Sequence, residues 1–225
     1  MEQKQIEFES KVIKTEYKII IPAETTDLKL IVDSDLIDDT IKIIKTKKGF
    51  RVGGAIPDLN TENPLDTDEF LGKLYHWKTN DKEVYNKYCE LLGYDTETKE
   101  KVKEQYKYAI SIDKYEHGSI TYSISGEGYK CRWDTSYGWA VWIPCDKDIK
   151  HLDKMRNIEK RQKELYKICR EALKIFNCYL HGEVYGYLIY EFSKRGKKLK
   201  TDSCFGFYGA DVITAEIDRL MQSGL

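Results

Sequence analysis

Residues 115–139 gather the side chains best suited to recognition or chemistry: Glu116, His117, Arg132, Trp133, Asp134, Tyr137 and Trp139, set between stretches of strand pattern. Aromatic faces pack against a partner, and Arg and Asp give directional hydrogen bonds, so these types on a rigid sheet make a recognition surface. A turn stabilised by Asp134, with the Trp side chains in the core, explains the same letters and is the favoured reading of the segment. A second candidate is Asp202-Ser203-Cys204-Phe205-Gly206-Phe207-Tyr208-Gly209, where a thiol lies near the start of an expected helix whose dipole would favour the thiolate. A nucleophile there needs an imidazole, His117 or His181, and nothing in the spacing pairs them. A small buried cysteine in a glycine-spaced strand is preferred. Trp133-Asp134 together with Asp202 and Cys204 form the alternative reading, a small-ligand or enzyme site.

Other chemistry finds less support. The histidines, His76, His117, His151 and His181, fall in no H-x-x-x-H pattern, and the six cysteines have no paired spacing, so no metal site is expected. There is no Walker A sequence, no strand-anchored G-x-G-x-x-G and no G-x-S-x-G, and no cofactor is expected. No catalytic residue is assigned. Lys194, Arg195, Lys197, Lys198 and Lys200 form a basic patch that can meet phosphates, which makes direct nucleic-acid contact a further alternative; a solvated hairpin tip is the plainer reading.

The 225 residues suffice for one large domain or two small ones, and 33% charged with 41% apolar residues lies in the globular range. Net charge is -1, yet residues 1–100 carry 21 acids against 15 bases and residues 101–225 carry 17 against 22, a polarised distribution. Scattered cysteines and a polar N-terminus without an apolar h-region point to free thiols in a reducing compartment, hence the cytoplasm. No run approaches the length of a membrane span.

Alternation marks residues 1–57 as β-rich, including a hairpin from Ile41–Ile44 to Phe50–Val52 with Gly49 at a positive-φ position, closed by Gly53-Gly54 and Pro57. Residues 67–105 read as helical: Phe70, Leu71, Leu74 and Tyr75 on one face, then Val84, Tyr88, Leu91 and Leu92 after an Asn80/Glu83 capping box. Residues 106–225 read as an α+β core, with strands at 110–124 and 139–143. Helical spacing covers 156–181 through Ile158, Leu165, Ile168, Ala172, Ile175, Phe176 and Tyr179, with a stop at His181-Gly182. Two strands follow, Val184–Phe192 and Thr201–Tyr208, then a last helix with Ile213, Ile217, Leu220 and Met221 inward. The expected fold class is α+β: mostly antiparallel sheets packed against one long amphipathic helix and several shorter ones.

Three segments, Tyr115-Glu116-His117-Gly118-Ser119 running on to Trp133-Asp134, Tyr179-Leu180-His181-Gly182-Glu183-Val184-Tyr185-Gly186, and Asp202 to Gly209, resemble a group of largely uncharacterised proteins of bacteriophages and conjugative elements of Gram-positive bacteria. The resemblance covers roughly residues 112–211. Where that group usually shows Trp-Asp-Ser-Gly-Gln, this chain has Trp133-Asp134-Thr135-Ser136-Tyr137-Gly138. The resemblance implies a mobile-element accessory role. Together with the residues above it sets the expectation of a protein that binds a host protein or ribonucleoprotein complex, in the manner of an inhibitor of an immune system such as CRISPR or restriction. The sequence leaves the oligomeric state open.

Overall fold

β-branched and aromatic residues in short alternating runs, separated by glycine-containing turns, give eight strands among the described residues, and the longer 3.6-period stripes give the helices. In chain order the described elements are β1 (Lys42–Lys45), β2 (Gly49–Pro57), α1 (Pro64–Thr67), β3 (Lys73–His76), α2 (Lys82–Leu92), β4 (Ile110–His117), β5 (Ser119–Ile124), β6 (Thr135–Ile143), α3 (Asp146–Lys154), α4 (Ile158–Leu180), β7 (Val184–Ser193), β8 (Lys198–Tyr208) and α5 (Ala210–Gln222). The computed structural model describes residues 40–67, 71–76, 82–92, 108–193 and 198–222. The β-rich reading of residues 1–39, the capping residue Asn80 and the charged stretch around 93–107 lie outside these. The class is α+β, as expected, with antiparallel sheets and one long helix.

The chain forms two units, Met1–Thr61 with Glu183–Leu225, and Glu62–Gly182. Residues 106–225 therefore contribute to both.

In the first unit the sheet order is β1-β2-β7-β8, all antiparallel. The expected β1–β2 hairpin forms, its turn closed by Thr46 and Gly49, which exchange backbone hydrogen bonds at 2.9 and 3.3 Å. Gly49 is not at positive φ, contrary to expectation; it opens β2 in register with Ser193. Of the expected closing residues, Pro57 ends β2, while Gly53-Gly54 lie inside it. A Cβ on Gly53 would stand 2.9 Å from Ile189 Cγ1 and 3.1 Å from Met221 Sδ, so glycine here admits the close approach of α5. Ile213, Ile217 and Met221 of α5 bury against Ala55, Tyr187 and Ile189. The buried Arg51 closes the far end of α5: its Nη1 donates to the carbonyls of Leu220 (3.0 Å) and Met221 (3.3 Å), where a helix leaves acceptors unpaired and favours a cation.

In the second unit the sheet order is β3-β6-β4-β5. Leu74 and Tyr75, read from the sequence as helical, lie in a strand: β3 pairs with β6 through Leu74–Trp142 and Tyr75–Val141. Gly72 ends any helix before them, with φ of 78° and no room for a side chain, since a Cβ would meet the Ile143 carbonyl at 2.3 Å. The helix expected after residue 80 is α2.

Ile112, Ile124, Ala140 and Trp142 form one sheet face, onto which α4 packs Leu165, Cys169, Ala172, Leu173 and Phe176. Trp142 is fully buried and its indole N–H donates to the Leu71 carbonyl at 2.9 Å, so replacing it by alanine removes about 3–5 kcal/mol. Asn157 caps the start of α4 by accepting from the Lys160 amide, and Gly182 follows its end as expected. Ile158, expected on the apolar stripe, is exposed in the first turn.

The outer edge of β5 is closed by α4. Asn177 accepts from the Tyr122 amide and donates to the Tyr122 carbonyl, each at 2.8 Å, and His181 Nε2 lies 2.9 Å from the Ile120 carbonyl. One amide side chain thus occupies a donor and an acceptor that an edge strand would otherwise present to solvent.

Candidate interaction site

The segment from Ser125 to Gly138 is irregular at first, yet it is tied down at many points. Asp113, only 3% exposed, is the anchor: its Oδ1 accepts from Ser125 Oγ (2.6 Å) and the Gly138 amide (2.9 Å), and its Oδ2 accepts from the Gly126 amide (3.0 Å). A buried carboxylate needs such donors, and here they join the loop's two ends to β4. Glu127 and Arg170 of α4 make a two-pronged pair at 2.7 and 2.8 Å, and the Arg170 hydrogen bonds hold the Glu127 carboxyl below its ordinary range. Near the tip, Thr135 Oγ1 donates to the Tyr129 carbonyl and accepts from the Cys131 amide, while the Glu116 amide donates to the Asp134 carbonyl.

The residues singled out from 115–139 divide between the faces of this sheet. Lys114 pairs with Glu116, and its Nζ lies 4.0 Å from the Trp139 ring centroid, on the α4 side next to Tyr122. Burial first, and the Lys114 charge second, lower the affinity of His76 for a proton there.

On the other side His117 Nδ1 and Cys131 Sγ each lie 3.2 Å from the same Asp134 oxygen. The Tyr115 hydroxyl is harder to ionise than usual, through desolvation and then the nearby Asp134 carboxylate; its ring packs on Tyr129 with centroids 4.8 Å apart. Asp134 is thus the turn anchor the sequence suggested, but Trp133 is not in the core: it is 85% exposed, with Tyr129 at 68% and Tyr137 at 62%. A turn whose hydrogen bonds are satisfied by Asp134 and Thr135 does not need Trp133 inward. The Arg132 guanidinium lies 5.4 Å from the Trp133 ring, lengthening the exposed surface.

Sequence reasoning missed Cys131, Tyr129 and the pair Asp113-Lys114. Two adjacent charges directly after the apolar alternation of Ile110 and Ile112 were the signal for the last. The thiol, carboxylate and imidazole come together around Cys131 rather than Cys204, and the thiol donates to the carboxylate, whereas a cysteine nucleophile gives its proton to an imidazole.

Trp133 and Asp134 belong to one unit, Asp202 and Cys204 to the other. Asp202 accepts from the Tyr187 hydroxyl at 3.4 Å. Cys204, expected to be buried, is exposed, because β8 is an outer strand. Of the basic patch, Lys194, Arg195 and Lys197 lie outside the described residues; Lys198 opens β8 and Lys200 is exposed on it. Among the described residues no three or more His, Cys, Asp or Glu are grouped so as to hold a metal ion, and no helix is long and apolar enough to cross a membrane.

No family model, no curated protein and no solved structure matches the chain.

Proposed function

We propose that this chain is a binding protein whose Glu62–Gly182 unit docks on a protein surface through Tyr129, Arg132, Trp133 and Tyr137. The observation that carries the reading is the display of Trp133: a large aromatic ring held in water by a loop fixed at both ends. Exposing Trp and two Tyr together forgoes burial worth about 1.5–3 kcal/mol for each large apolar side chain, a loss that a partner's surface recovers. Trp, Tyr and Arg are the residues that dominate protein–protein contacts, and a preformed loop loses little entropy when it binds. The resemblance to phage and conjugative-element proteins extends the proposal: the partner is a component of a host protein or ribonucleoprotein complex, and docking inhibits it, as a CRISPR or restriction inhibitor would.

Affinity capture from Gram-positive host lysates, with the wild type and Trp133→Ala side by side, tests this. The expected result is a stoichiometric partner whose affinity drops at least about thirtyfold on truncation of Trp133, with an unchanged melting temperature. Equal capture by both proteins, or no stoichiometric partner from any host, would overturn the proposal.

A further inference from the structure

In the first unit β8 is the last strand of the order β1-β2-β7-β8, and its far edge pairs with no strand among the described residues. Lys200, Thr201, Ser203 and Cys204 are exposed and only Asp202 is half-buried; Leu199 and Phe205, at the ends of this stretch, are 48% and 50% exposed. The register with β7 is unbroken from Lys200–Glu191 to Cys204–Tyr187, with irregularities on either side. Among the described residues the stretch is therefore an unpaired edge of regular register, of the kind that pairs with another strand.

We propose that this edge pairs antiparallel with the same strand of a second copy of the chain, about a two-fold axis at Thr201. The argument is charge complementarity. Lys200, Asp202 and Cys204 share the α5 side of the sheet, because they stand opposite Glu191, Ile189 and Tyr187; Thr201 and Ser203 share the other. A two-fold axis perpendicular to the sheet keeps each face with its like, so only registers centred on a residue are allowed. Centred on Thr201, Lys200 faces Asp202 of the second copy and Asp202 faces its Lys200, flanking a Thr–Thr pair. Opposite charges and paired threonines are both favourable directly across an antiparallel ladder. Centred on Asp202, two carboxylates oppose each other. Centred on Ser203, Lys200 faces Gly206 and both ion pairs are lost. The favoured register joins two four-stranded sheets into one continuous sheet with an isologous interface.

Sedimentation velocity on the full chain over a concentration series tests the proposal through charge swapping. The wild type forms a concentration-dependent dimer. Lys200→Asp and Asp202→Lys each weaken self-association on the order of tenfold or more, since two attractions become two repulsions. An equimolar mixture of the two variants regains dimer, because each then meets the opposite charge; that recovery also shows that both are folded. Thr201→Lys, which sets two like charges across the axis without altering Asp202, weakens the dimer as well. A wild type that stays monomeric, a dimer indifferent to all three substitutions, or a mixture no tighter than its components would overturn the proposal.

Discussion

The two units solve the same problem in opposite ways. Each carries a four-stranded antiparallel sheet with an apolar face under a helix, and each ends in a strand whose backbone must find partners outside the ladder. In the Glu62–Gly182 unit α4 reaches the end strand, and Asn177 and His181 occupy the outward groups of Tyr122 and Ile120. In the other unit α5 packs over Ala55, Tyr187 and Ile189, and the far edge of β8 pairs with no strand among the described residues. A closed edge leaves side chains as the means of contact, and that unit displays Trp133 and its neighbours. An open edge offers the backbone itself.

The sharpest contrast lies between two thiols. Cys169 sits on the sheet-facing side of α4 with no exposure, and burial first, then the Glu127 charge, push its pKa up to about 12. At pH 8 its thiolate fraction is about one in ten thousand, and solvent is excluded as well. An alkylating reagent followed by peptide mass mapping is expected to label Cys204 in the native chain and Cys169 only on unfolding. Equal rates at both sites would mean that α4 does not seal its sheet.

Removing the clamp attacks the closed edge. Asn177→Ala leaves the Tyr122 amide and carbonyl without their side-chain partner, at a cost of about 1–3 kcal/mol. Urea unfolding should shift its midpoint accordingly, while a comparable change on the open edge, Ser203→Ala, should leave stability nearly untouched. Equal shifts would erase the distinction.

A smaller effect follows from His76, also in the second unit. Burial first and Lys114 second depress its pKa from 6.5, so the folded chain keeps it neutral while the unfolded chain protonates it. The sign follows: this contribution is fully present above pH 6.5 and is lost as pH falls through the folded value. His76→Gln should flatten the loss of stability between pH 7 and pH 5, read as urea midpoints. An unchanged slope would place the acid sensitivity elsewhere.

Long periodic elements were legible from sequence alone. The stripe through Leu165, Ala172 and Phe176 placed α4, and the apolar runs on either side of Lys47-Lys48-Gly49 placed the first hairpin, though not the conformation of Gly49. Short windows were not: Leu74 and Tyr75 fit a helical face as well as a strand, and the pairing with β6 beyond the crowded Gly72 decides between them. Glycine also misled at Gly53, where it admits α5 rather than ending a strand. The pairing of β2 with β7, across more than a hundred residues of intervening chain, leaves no local trace. At the site, composition showed that residues 115–139 were unusual but not which rings face water. That depends on Asp113, whose three donors come from residues 12 to 25 positions away.

Residue-resolved amide hydrogen exchange across a dilution series compares the two edges most directly. The Tyr122 amide, held by Asn177, should be protected at every concentration. The outward, alternate amides between Lys200 and Cys204 should exchange freely in dilute solution and slow as the chain is concentrated. A Tyr122 amide that exchanges as fast as those of β8, or β8 amides protected even at the lowest concentration, would contradict the division into one closed and one open edge.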